Sequence, residues 1–319
     1  MAPRGAGVIT GLGRRVAISL RADKPYYTPG DYACCALDIR TSWSLRFKRI
    51  MAELTCCERF FSGEVRATRV MFKERKTLSG PGKVLPPGGS LTFAMRIPPE
   101  ACPTYMGHSF LRLWRIKASV ELGLAPSLVA DHIILVLKSF RRGGPMTSSA
   151  SRGGVLIELS IRKSVFLPNE LIKGSVALSG APDVRSFRLE LLAIEKLAIG
   201  QGVSEAVFPR CLRSLVLPIK DFTSFSLRAP SYSPFEDENS SVEYMLRAVA
   251  RLRARGELVV GLPILVGVPE VSETEEEGSR APAIGVANRW LSSYTGHGFE
   301  ELFLGLEDAG AILSPRVGL

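Results

Sequence analysis

The residue types most able to do chemistry are sparse and poorly spaced. His108, His132 and His297 do not fall into an HxxxH or HExxH pattern, so they do not predict a metal centre. Six cysteines are present: Cys34, Cys35, Cys56, Cys57, Cys102 and Cys211. The two adjacent pairs lack the CxxC spacing of zinc and redox sites. Neighbours in an extended strand point to opposite faces, so one member of each pair is expected to pack as a small hydrophobe. The alternative is a cross-strand disulfide between the pairs. Sequence distance leaves a Cys–His nucleophile open, but Cys34 and Cys56 lie in strand patterns that favour packing. Gly80-Pro81-Gly82-Lys83-Val84 lacks the first glycine of a phosphate loop and the hydroxyl residue after its lysine, and reads as a turn. GxSxG is missing, as is the aspartate spacing of a calcium loop, and Glu236-Asp237-Glu238 reads as a solvated loop. These patterns predict a chain that is not an enzyme and uses no metal or cofactor.

The elements read almost wholly as β. Val16–Leu20, Tyr32–Ile39 and Ile50–Cys57 are short alternating runs separated by Gly, Pro and Asp clusters. In Arg112–Leu122 the set Trp114, Ile116, Ala118 and Val120 is apolar, against Leu113, Arg115, Lys117 and Ser119. That period of two predicts a strand with the first set turned to a core.

A repeat runs through the chain. Tyr27-Thr28-Pro29-Gly30-Asp31 and Phe166-Leu167-Pro168-Asn169-Glu170 are turn signals before strands, since Gly and Asn tolerate positive φ. Phe93 to Phe225 and Pro98 to Pro230 are both 132 positions, and Trp114 to Tyr244 is 130. Near-constant offsets predict two copies of one unit. The length of 319 residues suits two domains of roughly 100–200 residues each. The expected layout is a flexible leader over 1–14, a first sandwich over 15–142, a Gly/Ser/Pro-rich linker over 143–153 and a second sandwich over 154–269. An acidic disordered stretch over 270–283 and a tail over 284–319 follow. Arg4 has no following apolar block, which predicts no secretory signal, and no run approaches the ~20 apolar residues of a membrane helix. The expected location is cytoplasmic, with peripheral attachment to a membrane as a variant.

A Pro-Gly/Asn-Asp/Glu turn opens a strand, a strand closing on Pro98 or Pro230 follows, and a Trp114- or Tyr244-centred strand completes the cassette, twice. This resembles the arrestin-like superfamily, including its archaeal members and bacterial sporulation-control proteins, over about residues 15–268. The resemblance implies two tandem immunoglobulin-like antiparallel β-sandwiches, an all-β fold. It further implies a role similar to adaptors and scaffolds that bind receptors, retromer partners or ubiquitin-ligase components in protein transport or signalling. The chain departs from the family in having no Pro-Pro-x-Tyr motif, and the sequence offers no match for the buried charged cluster that locks visual-type arrestins. Phe303-Leu304-Gly305-Leu306-Glu307 only loosely approximates a clathrin box.

Charge and apolar spacing nominate two binding surfaces. Residues 1–145 carry 23 Lys and Arg against 10 Asp and Glu, a net of +13, whereas residues 270–319 carry 3 against 9, a net of −6. Arg46, Lys48, Arg49, Arg66, Arg69, Lys73, Arg75 and Lys76 form basic clusters suited to an acidic protein or anionic lipid headgroups. Aromatics are not interleaved with them, so nucleic acid is not expected. Phe299, Leu302, Phe303 and Leu306 recur at i, i+3, i+4 and i+7 with acidic neighbours, predicting a short amphipathic helix. That helix is expected to dock on the basic first half in cis or on a partner protein in trans. The other functional class is a surface-associated sandwich that binds carbohydrate or anionic lipid.

Overall fold

The computed structural model describes residues 7–11, 14–62, 65–123, 125–141, 143–199, 204–238, 240–253 and 256–270. Among them, the sixteen strands of five residues or more define the architecture. In the first half these are β1 (Gly7–Gly11), β2 (Arg14–Ala22), β3 (Tyr32–Thr41), β4 (Arg49–Ser62), β5 (Val65–Ser79), β6 (Gly88–Arg96), β7 (Phe110–Leu122) and β8 (Ala125–Ile134). The second half has β9 (Met146–Arg152), β10 (Val155–Ile161), β11 (Leu171–Ser179), β12 (Val184–Ile199), β13 (Ser204–Leu217), β14 (Phe222–Arg228), β15 (Ser240–Leu252) and β16 (Glu257–Val266). The helical content of the described residues is one 3₁₀ turn, Ala181–Asp183.

Strand order repeats with a shift of eight labels. One sheet runs β1-β2-β3-β6 and its counterpart β9-β10-β11-β14; another runs β8-β7-β4-β5 and its counterpart β16-β15-β12-β13. Pairing between these long strands is antiparallel. The spaced landmarks fall on matched strands: Phe93 on β6 and Phe225 on β14, Trp114 on β7 and Tyr244 on β15.

The paired turns show why the pattern recurs. Gly30 has φ 89° and Asn169 φ 62°, a left-handed conformation that Gly adopts without strain and Asn tolerates. In each turn the acid that follows accepts a backbone N–H three residues back: Thr28 N–H donates to Asp31 at 3.0 Å, and Leu167 N–H to Glu170 at 2.9 Å.

Two apolar clusters form the core. The first gathers Val16, Ile18, Leu37, Leu54, Trp114 and Ile116; the second gathers Ile157, Phe187, Leu189, Tyr244 and Leu246, with Tyr105 and Phe110 from the first half. Register explains the sorting, because Trp114, Ile116 and Ala118 lie opposite Cys56, Leu54 and Ala52 and share their face.

Two segments and one cysteine pair depart from expectation. The leader contains β1, which pairs with β2 through Val8-Ile9-Thr10, a β-branched run suited to a strand. The linker contains β9, which pairs with β10 along its length and sends partly buried Met146 and Ala150 against the second cluster. Its serines satisfied the composition of a loop, but alternation and pairing decide the outcome. All six cysteines are free thiols, so the disulfide alternative does not hold. Cys34 is exposed and Cys35 buried as expected, yet Cys56 and Cys57 are both buried. The acidic stretch from 271 and the tail helix lie outside the described residues.

Candidate functional site

Along β4 the core-facing residues are Ile50, Ala52, Leu54 and Cys56, and the next position on that face is Glu58. Register sets Glu58 between Arg112 of β7 and Arg69 of β5, so three charges stand abreast. The row falls where one cluster gives way to the other: Cys56 and Trp114 belong to the first, and Phe60 and Phe110 pack in the second. Glu58 and Arg112 are both 0% exposed. Arg112 Nη2 donates to Glu58, to Asp237 and, at 3.0 Å, to Ser240 Oγ. Arg69 Nη2 donates to the other oxygen of Glu58 at 3.1 Å. The Arg112 guanidinium also lies 4.3 Å from the centroid of the Phe235 ring. Asp237 and Ser240 close a turn ahead of β15, with Ser240 N–H donating to Asp237 at 2.9 Å. Burial alone works against the Arg112 charge, but Glu58 and Asp237 outweigh it and hold its pKa above the ordinary arginine value. Arg112 Nε and Nη1 are buried and have no acceptor.

A second buried carboxylate fastens the same region. Glu195 of β12 is 1% exposed and accepts from Tyr105 OH at 2.8 Å, His108 N–H at 2.9 Å and Ser109 N–H at 2.7 Å. Gly107 lies inside this turn, where a Cβ would collide with Glu195 Oε1 and the Tyr105 ring. Burial, followed by Tyr244 and Glu195, drives the Tyr105 pKa far above its usual value, which keeps the phenol a donor.

The buried thiols suit packing more than nucleophilic attack. Burial pushes Cys35 up to about 12 and Cys57 up to about 11, and Cys56 lies well above the ordinary thiol value, so the thiolate is disfavoured.

The expected basic cluster is divided by the fold. Arg46 lies on the short strand Leu45–Phe47, opposite Lys83, and Lys48 follows it. Arg49 pairs with Glu121 at 2.8 Å. On β5, Arg69 joins the buried row, Lys73 and Arg75 flank Glu53 at 3.4 and 2.5 Å, and Lys76 lies opposite Ala52 on the other face. Burial works to raise the Glu53 pKa, but Arg75 and Lys73 outweigh it and hold it below the carboxylate range. Arg66 lies on β5 opposite Phe61. Phe299, Leu302, Phe303 and Leu306 are outside the described residues.

The seam was missed at the level of sequence, although parity carried a signal. Arg112 shares the even set of Trp114 and Ile116, and Glu58 the even set of Leu54 and Cys56. A charge on the apolar parity of a strand marks an inward charge that needs a partner. No protein-family model matches the chain, and no curated protein matches it.

Proposed function

We propose that the chain is an arrestin-like scaffold of two tandem sandwiches, over about 15–142 and 154–269, that binds partner proteins near a membrane and catalyses no reaction. The repeated strand order supports the tandem reading. The observation that carries the binding role is the free edge of β5. Among the described residues this 15-residue strand has β4 as its only neighbour in the sheet order, and no described strand pairs with its outer main chain. It carries Lys73, Arg75 and Lys76 beside Val70 and Met71, which are 47% and 36% exposed. An extended acidic segment added as a further strand would gain main-chain hydrogen bonds, charge pairing and apolar contact together.

The test compares full-length chain with a Lys48→Glu, Lys76→Glu variant, each used to recover partners from native cells. Loss of specific proteins from the variant, with an unchanged melting temperature, is expected. An identical protein set from both chains would overturn the reading. Flotation with phosphatidylserine vesicles checks the lipid alternative, which wins if charge reversal abolishes vesicle binding and leaves the protein set untouched.

A further inference from the structure

Among the described residues β6 has β3 as its only neighbour, so it forms one edge of the β1-β2-β3-β6 sheet. From Gly88 to Met95 it carries neither a charge nor a proline, the devices that blunt a sheet edge. Alternation turns Leu91, Phe93 and Met95 toward the first cluster and leaves Ser90, Thr92 and Ala94, all small, on the outer face. The matched strand shows what this edge lacks. An offset of 132 sets Leu91 against Thr223, Phe93 against Phe225 and Met95 against Leu227. On β14, Thr223, Phe225 and Leu227 are all buried, at 8%, 6% and 9% exposure. Met95 is buried as well, but Leu91 and Phe93 are only partly buried although they point inward. The first core therefore keeps an apolar rim beside main chain that no described strand pairs.

We propose that a second copy of this chain occupies this edge, β6 pairing antiparallel with β6 about a two-fold axis so that two four-stranded sheets become one. Full overlap of the nine residues Gly88–Arg96 places Thr92 on the axis. Leu91 of each copy then stands opposite Phe93 of the other, so each apolar rim covers its counterpart. Arg96 stands opposite Gly88, and no like charges meet. An isologous contact sets a strand against itself, so any charge near the axis would face its own copy. The uncharged edge of β6 meets that condition, whereas the edge of β5, with Lys73, Arg75 and Lys76, does not. β14 gains less from self-pairing, because its inward side chains are already buried. Nine paired residues extend over about 30 Å, a contact at the small end of specific interfaces, so the dimer is expected to dissociate at micromolar concentration. The inference does not depend on the partner-binding role, which uses the edge of β5 on the other sheet.

Sedimentation equilibrium of the full-length chain, from low micromolar to several hundred micromolar concentration, is expected to show a reversible monomer–dimer equilibrium. A monomer across that range overturns the proposal. Thr92→Lys sets like charges face to face on the axis, at a position that is exposed in the single chain. It is expected to raise the dimer dissociation constant at least tenfold and to leave the melting temperature of the monomer unchanged. A dimer of undiminished strength in this variant means that the copies meet elsewhere, and overturns the proposal. If the melting temperature falls, a Thr92→Cys chain decides, because residues paired across the axis lie about 5 Å apart. A short bismaleimide that joins two copies through position 92 supports the proposal. No more covalent dimer than the natural chain gives through its exposed Cys34 and Cys211 overturns it.

Discussion

Arg112 is a charged side chain with no exposed surface. Its charge is fully enclosed and held by carboxylates from both halves of the chain, Glu58 and Asp237. Removing one partner strands a buried charge, at a cost of roughly 3–5 kcal/mol. Glu58→Ala is therefore expected to lower stability by that order in denaturant titration. Replacing both members with Met should cost less than the single change, because the two fully enclosed charges go together and the ions left, Asp237 and Arg69, both reach solvent. Equal losses for the single and double variants would remove the pair from the account. Gly107→Ala is a second residue-level test. Its methyl would press on the Glu195 carboxylate, and overpacking of this kind costs typically 1–3 kcal/mol. An unchanged melting curve would mean that the turn can move aside.

Single elements carry their own expectations. In the turn before β3, Gly30→Ala forces a left-handed conformation on a residue with a Cβ, at about 1–2 kcal/mol. At the matched turn Asn169→Gly should be neutral or slightly favourable, so chemical denaturation of the two variants should shift in different directions. β8 adds a pH dependence. Burial lowers the His132 pKa, and Asp131 opposes this more weakly. The unfolded chain then takes up the proton first, so this contribution is complete above about pH 6.5 and is lost as pH falls below it. Stability measured from pH 8 to 5 should decline, and His132→Leu should flatten that part of the curve. Elements also show what the sequence made legible. Alternation in 114–120 and the Pro-Gly/Asn turns are local patterns, and they led to β7 and the repeat. The pairing of Glu58 with Arg112 spans 54 positions and that of Arg112 with Asp237 spans 125, distances over which one sequence carries no direct signal. Ser and Gly dominate the surroundings of β9 and by composition point to a linker; its pairing with β10 is a tertiary fact that composition does not encode.

For the molecule as a whole, β4 and β7 run through both apolar clusters, and Glu58 and Glu195 tie residues from both halves. The two clusters are expected to melt together, as one calorimetric transition in the native chain. Combined Glu58→Gln and Glu195→Gln substitutions should split it into two, and a single sharp transition in that variant would mean that apolar contact alone couples the halves.

The edge strands have a colloidal consequence as well. The rim formed by β5 is dominated by Lys73, Arg75 and Lys76, and the matched rim of β13 presents Arg210 and Arg213 around Pro209, which has no amide hydrogen to offer. Rims of like sign repel one another in dilute electrolyte, so two copies resist zippering into a continuous ribbon. Added salt shortens the range of that repulsion, and light scattering should record growing particle size as ionic strength climbs.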